Sequence, residues 1–263
     1  MEYESKWVDV WHGAGFKRLR WREKMLLDYD LAFVTSEFFH KYESEKTGVP
    51  YKLKVTGYPR TDILIKGSVS REKILKKLKI SLNRKNILYA PTISSKPKPF
   101  FPWEKLEVIV DEIERFCEQN NCNFLIRMHH DWYKRQLKDV QKLKRKISQC
   151  KNIFDLSIEN YRDVQPILYI TDVLITDWSS IASDFLLLNR PIIFMDVELP
   201  AEDFVLGPED RVGYIVKNKQ EFFEKLKEAL ENPNLFEDKR KQVIKKYTNI
   251  STEILRKDVL RKS

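Results

Sequence analysis

The sequence predicts an α/β protein with two parallel-sheet units, the first of them short. Three observations predict it. Short runs rich in Val, Ile and Leu are apolar from end to end, as strands covered on both faces of a parallel sheet must be. Longer amphipathic stretches separate them, the alternation expected of strand–helix–strand units. The residues directly after the apolar runs are small, polar or ionisable. In an open parallel sheet that edge, beyond the carboxyl ends of the strands, is where ligands bind.

In chain order, "WVDVW" (7–11), "LAFVT" (31–35) and "YKLKVTG" (51–57) read as strands of the first unit. Between them "RWREKMLLDY" and "SEFFHKYESEK" read as helices, the second with Ser36 or Thr35 as its cap. A cation-rich stretch near 66–85 holds a further helix and a turn and marks the break between the units. The second series has "NILYAPT" (86–92), "FLIRMH" (124–129), "DVLIT" (172–176) and "PIIFMD" (191–196) as strands. "WEKLEVIVDEIERFCEQN", "RDVQPILYI" and "SIASDFLLL" are its helices, and the proline-rich "PTISSKPKPFFPW" (91–103) is a loop inside the unit. From 218 onward the chain reads as two or three charged helices. The expected division is 1–70, a partial first unit, and 71–263, a complete second unit with C-terminal helices.

Bulk properties narrow the function. A chain of 263 residues with 42% hydrophobic residues can bury a core and is not a disordered segment. A formal charge of +9 favours an anionic partner: a nucleotide, a phosphate polymer, nucleic acid or an acidic membrane surface. Three cysteines without a C-x-x-C spacing predict neither a disulfide framework nor a zinc site, and they fit a reducing compartment. The N-terminal residues carry no signal-peptide core and no run is long enough to span a bilayer. These features predict a cytoplasmic protein, able to lie on the cytoplasmic face of the membrane. The run 71–85 reads either as a solvated helix or as a cationic face resting on an anionic membrane. Aromatics beside Lys17, Arg18 and Arg20 accompany no nucleic-acid module, so nucleic acid is not an expected partner.

Three constellations carry chemistry. In "WHGAGFKRLRW" a strand end delivers His12, while Gly13 and Gly15 leave room where backbone approaches a ligand. Lys17 and Arg18 follow as cations for a phosphorylated substrate. The bland alternative is a structural histidine and glycines that serve the turn. Neither a Walker loop nor G-x-G-x-x-G is present. In "FLIRMHHDW" Arg127 and His129 alternate with Met128 at a strand end, a cation and an imidazole suited to a pyrophosphate. The adjacent His129 and His130 point apart and lack a third ligand at useful spacing, so no metal is expected. In "TDWSSIASDFLLLNRPIIF" Ser179 or Ser180 sits where a helix would start, with Asp177 before it. Free backbone N–H groups, the dipole and the hydroxyls there suit a phosphate; a plain helix cap explains only one serine. Trp178 reads equally as core or as ligand contact.

Taken together, "VWHGAGFKRL", "VTSEFF…K", "VTGYPRTDIL", "ILYAPT", "IRMH" and "DVLITDWSSIASDFLLLNRPIIF" resemble, in order and over residues 7 to about 196, the CDP-glycerol glycerophosphotransferase family. The resemblance implies a GT-B-like architecture, two Rossmann-like units facing a cleft, with the donor on the second. It implies transfer of glycerol or ribitol phosphate from CDP-glycerol or CDP-ribitol to an acceptor hydroxyl, with release of CMP, in cell-surface polymer synthesis. The acceptor would be a polyol-phosphate chain or a lipid-linked primer. His12 would be the base, His129 with Arg127 would hold the donor pyrophosphate, Ser179 and Ser180 a phosphate, and Asp177 would organise the loop. Gly13, Lys17 and Thr92 complete the expected substrate-binding set. No cofactor is implied, since the CDP-polyol is a substrate. Three departures stand out: His130 replaces the usual Pro after R-x-H, glycine is scarce, and little of the first unit precedes His12. The short first unit would expose a sheet edge, which predicts pairing into a homodimer.

Overall fold

The computed structural model describes residues 7–10, 15–16, 18, 20–67, 69–92, 102–103, 106–129, 131, 134, 137–197 and 205–248. Strands β1 (Val8–Asp9), β2 (Leu31–Val34) and β3 (Leu53–Val55) pair in parallel in the order β1-β2-β3. Helices α1 (Arg20–Met25), α2 (Glu37–Thr47) and α3 (Asp62–Lys66) accompany them. Ser36 caps α2: its backbone is extended and its hydroxyl accepts the Phe39 N–H.

The second sheet holds β4 (Lys85–Tyr89), β5 (Cys122–Ile126), β6 (Ile153–Asp155), β7 (Val173–Thr176), β8 (Ile192–Met195) and β9 (Tyr214–Val216). All pairings are parallel, in the order β6-β5-β4-β7-β8-β9. Helices α4 (Arg71–Leu78), α5 (Leu106–Gln119), α6 (Leu137–Ile147), α7 (Gln165–Ile170), α8 (Ile181–Leu186), α9 (Lys219–Glu231) and α10 (Glu237–Tyr247) complete the chain. Three of these escaped the sequence reading. β6 and β9 have three residues each, too few to show a period, and α6 is so rich in lysine that its apolar stripe is easily overlooked.

Neighbouring residues of the central strands serve two different cores, because side chains alternate across a sheet. Leu88, Leu125, Leu174 and Phe194 face a core shared with Phe16, Val34 and Phe39 of the first unit. Ile87, Phe124, Ile126, Ile175 and Ile193 face a second core under Ile113 of α5, Leu143 of α6 and Leu226 of α9. That double burial is why β5, β7 and β8 lack any polar alternation. In α4 the apolar residues Ile74, Leu75 and Leu78 are buried. Its apolar face is therefore taken by the protein, which resolves the reading of 71–85 in favour of a solvated lysine face over a helix lying in lipid.

The last helix ties the units together. Tyr247 of α10 meets the Phe39 ring edge-on at 5.9 Å, and the Ser36 hydroxyl donates to Lys246 O at 2.8 Å. Ser36 thus serves two elements 210 residues apart.

Candidate active site

The second sheet begins in its middle. The chain runs outward from β4 through β5 to β6, then crosses back to lay β7 on the other side of β4. The connections on either side of this reversal leave the sheet in opposite directions, opening a crevice above the carboxyl ends of β4 and β7. Thr92 follows β4, and Asp177 follows β7, so both stand at that crevice. Two bonds register the strand ends, the Ala90 N–H to Ile175 O at 2.9 Å and the Thr176 hydroxyl to Ala90 O at 2.7 Å. Above them the Thr92 N–H donates to Asp177 Oδ1 at 2.9 Å. The buried Asp177 carboxylate therefore joins the two loops that border the crevice.

Ser179 and Ser180 follow at once. Ser180 holds the position before α8, but its backbone is already helical and its hydroxyl caps nothing. The Ile181 N–H instead approaches Ser179 Oγ at 3.5 Å, the limit of a hydrogen bond. Of the cap expected of Ser179 or Ser180, only this long bond to Ser179 is present, and α8, six residues long, offers only a small dipole. Trp178 is core: it is buried, its ring meets Phe16 edge-on at 6.0 Å, and the Arg211 guanidinium lies 4.1 Å from its centroid.

Phe16 and Gly15 bring the first unit onto this loop. Phe16 is fully buried, touching Trp178 and also Phe194 at 6.1 Å, and its carbonyl accepts the Val205 N–H. A Cβ on Gly15 would stand 2.8 Å from Ser180 Cβ and 3.1 Å from Ser180 Cα. The sequence reading reserved the space at Gly15 for a ligand; Ser180 occupies it. The two motifs, 165 residues apart, are therefore in contact. His12, Gly13 and Lys17 themselves lie outside the described residues, as does His130.

Arg127 and His129 leave β5 on the other side of β4. The Arg127 guanidinium turns onto backbone carbonyls, with Nη1 to Leu156 O at 2.8 Å and Tyr161 O at 2.7 Å, and Nη2 to Arg162 O at 3.1 Å. It holds the loop between β6 and α7. His129 is part-exposed, and its Nδ1 accepts the Asp131 N–H at 3.3 Å. In the neutral ring that bond puts the proton on Nε2.

Two further groups lay beyond sequence reasoning. Asp184, on α8 one turn past Ser180, receives Arg60 Nη1 at 2.5 Å and Nη2 at 2.7 Å, Gln165 Nε2 at 3.0 Å and Tyr247 OH at 3.1 Å. Burial pushes its carboxyl above the ordinary range, against the pull of Arg60, Gln165 and Tyr247. This cluster fastens α8 to the first unit and to α10. The only local hint was "YPRTD", one ionisable residue among several. Arg211, under Trp178, had no local signal at all. Among the described residues no group of three metal-ligating side chains converges, and no helix is long and apolar enough to cross a membrane.

Comparison with known proteins agrees with this geometry. The chain is 30% identical to the teichoic acid ribitol-phosphate polymerase TarL of Staphylococcus aureus over 248 residues, 86% of this chain and 42% of TarL. It is 28% identical to TarK, a ribitol-phosphate polymerase of the same organism, over 97% of this chain and 52% of TarK. The chain thus spans about half the length of the curated relatives it matches. Among solved structures, the wall teichoic acid polymerase TagF superposes with a TM-score of 0.73 at 20% identity, covering 99% of this chain and 69% of TagF. That likeness establishes the two-sheet, GT-B-like fold. The family model for CDP-glycerol:poly(glycerophosphate) glycerophosphotransferase matches residues 2–261. With Gly15 and Phe16 packed on the T-D-W-S-S turn at a sheet's reversal point, and that match over nearly its whole length, the chain belongs to the CDP-glycerol:poly(glycerophosphate) glycerophosphotransferase family.

Proposed function

We propose that the protein transfers a polyol phosphate, glycerol or ribitol phosphate, from a CDP-activated donor to an acceptor hydroxyl during synthesis of a cell-surface polymer. The observation that carries this reading is the contact of Gly15, two residues past Gly13 of the H-G motif, with Ser180 at the carboxyl edge of the donor-side sheet. The acceptor oxygen attacks the phosphorus that bears the donor polyol. The bond from that phosphorus to the bridging oxygen of CMP breaks, and His12 takes the hydroxyl proton. Such a transfer needs positioning and charge stabilisation more than covalent help from the protein. Gly13 and Lys17 belong with His12, Lys17 supplying a cation to the substrate.

The donor diphosphate takes the crevice between β4 and β7. Ser179 and Ser180 donate hydroxyls to it, Thr92 lines it, and Asp177 fixes the two loops. His129 offers Nε2–H to a phosphate oxygen, a hydrogen bond that strengthens as charge develops. Arg127, bound to three carbonyls, contributes its charge and a fixed loop. The excess of 48 Lys and Arg over 39 Asp and Glu supports an anionic acceptor, a polyol-phosphate chain or a lipid-linked primer at a membrane surface.

The test is a panel of nucleotides in thermal shift, followed by transfer assays with CDP-glycerol and CDP-ribitol. CMP and CDP should raise the melting temperature, and UDP and ADP should not. His12→Ala should abolish transfer and leave CDP binding unchanged. Stabilisation by UDP alone, or full transfer by His12→Ala, would sink the reading.

A further inference from the structure

Arg211 follows the short turn Pro208–Asp210 on the segment that returns from β8 to β9. It is 7% exposed, and its guanidinium carbon lies 4.1 Å from the Trp178 ring centroid and 4.8 Å from that of Phe194. Among the described residues only Nη2 finds an acceptor, Met195 O at 3.1 Å, and Nε is buried without a partner. No carboxylate of the described residues forms an ion pair with it. Asp196 and Asp177 act on it only through space, while burial weakens its hold on the proton.

A cation removed from water is normally met by a carboxylate or by a full set of acceptors. Arg240, the other buried arginine among the described residues, obeys that rule, and the part-buried Arg60, whose Nε also lacks a partner, still has a carboxylate. Arg240 gives Nε and Nη2 to Asn189 Oδ1, Asn189 O and Pro233 O, and Arg60 has the Asp184 carboxylate. Arg211 instead rests on two aromatic faces and one carbonyl, which hold a guanidinium in place without neutralising it. Its position gives the surplus a purpose. Met195 is the last residue of β8 and Trp178 stands between Asp177 and Ser179, so the guanidinium belongs to the carboxyl edge that borders the crevice.

We propose that Arg211 is an anion-binding residue of this crevice, its missing counter-ion being a phosphate oxygen of the donor diphosphate. This rests on the donor site proposed above, but its chemistry requires only a phosphate or diphosphate. Trp178 and Phe194 pre-orient the fork, so little freedom is lost when the anion arrives.

The experiment measures inorganic pyrophosphate, CDP and cytidine binding to the whole chain by titration calorimetry, for wild type, Arg211→Met and Arg211→Lys. Wild type should bind pyrophosphate, and CDP more tightly than cytidine. Arg211→Met should lose about 10- to 100-fold in affinity for pyrophosphate and CDP, the range of one or two charge-assisted hydrogen bonds, with cytidine binding unchanged. Arg211→Lys, which keeps charge but loses the fork, should fall between them. If Arg211→Met does not fold, the lysine variant decides: unchanged pyrophosphate affinity overturns the proposal. A folded Arg211→Met with wild-type anion affinity shows a pillar under Trp178 and also overturns it. Wild type that binds pyrophosphate but not CDP leaves Arg211 standing and removes the cytidine donor. Wild type that binds neither overturns Arg211.

Discussion

Arg60→Met tests the claim that one buried ion pair fixes the two units. The Asp184 side chain is 3% exposed and Arg60 supplies its only positive charge among the described residues. Without Arg60, the carboxylate keeps Gln165 Nε2 and the Tyr247 hydroxyl, both neutral. Removing one partner of a buried pair costs about 3–5 kcal/mol. Arg60 is itself 27% exposed, which places the loss toward the lower end, about 3 kcal/mol. For a chain of this length that lowers the melting temperature by roughly 6–12 °C. The assay is urea and thermal unfolding followed by circular dichroism, repeated from pH 7.5 down to pH 4.5. Burial raises the Asp184 carboxyl and Arg60 lowers it, so the variant's carboxyl lies higher still. A folded-state value above the unfolded one means the ionised form is penalised. The deficit relative to wild type is therefore full above the variant's folded value and shrinks as pH falls from it toward the wild-type folded value. Arg60→Met with Asp184→Leu removes both charges and should recover most of the loss. A deficit under about 1 kcal/mol, a deficit independent of pH, or additive single and double variants would refute the reasoning.

Three other outcomes follow from the same contacts. Gly15→Ala places a methyl 2.8 Å from Ser180 Cβ; it should cost about 1–3 kcal/mol in unfolding and reduce turnover with CDP-glycerol more than CDP affinity, because the backbone at residue 15 must lift from Ser180. Trp178→Ala empties the space between Phe16 and Arg211; a loss of about 3–5 kcal/mol is expected in chemical unfolding. Cys150 has its thiol pushed up to about 11, first by burial and then by the charges of Glu114 and Asp111. Alkylation by iodoacetamide should be slow at pH 8, where roughly one thiol in a thousand is ionised, and should accelerate about tenfold per pH unit up to pH 10.

Much of the fold was legible along the chain. β4, β5, β7 and β8 could be read because burial on both faces leaves an uninterrupted apolar run. α2 could be read because Ser36 marks its start; the structure adds that Gly48 ends it in the left-handed conformation at φ 70°. β6 and β9 could not, since three residues at a sheet's edge carry no period. The location of the site followed from the same logic: polar residues after apolar strands sit at the carboxyl edge. Thr92 and Asp177 were identified in that way, before any contact between them was visible.

By itself, then, the sequence determined the α/β class, the strand ends that could bind a ligand and the identity of the motifs. All of these depend on short-range periodicity and on residues close together in the chain. Only the tertiary structure decided which strand ends are neighbours, because the order β6-β5-β4-β7-β8-β9 is not written in the spacing of the strands. It decided that Gly15 yields space to Ser180, that Arg127 turns to its own backbone, and that Trp178 packs beneath the site. It also revealed Arg60 with Asp184, 124 residues apart, and Arg211 without a carboxylate. Those roles depend on burial and on partners distant in sequence, and the energy of a charge is set by its surroundings in space, which no local pattern encodes.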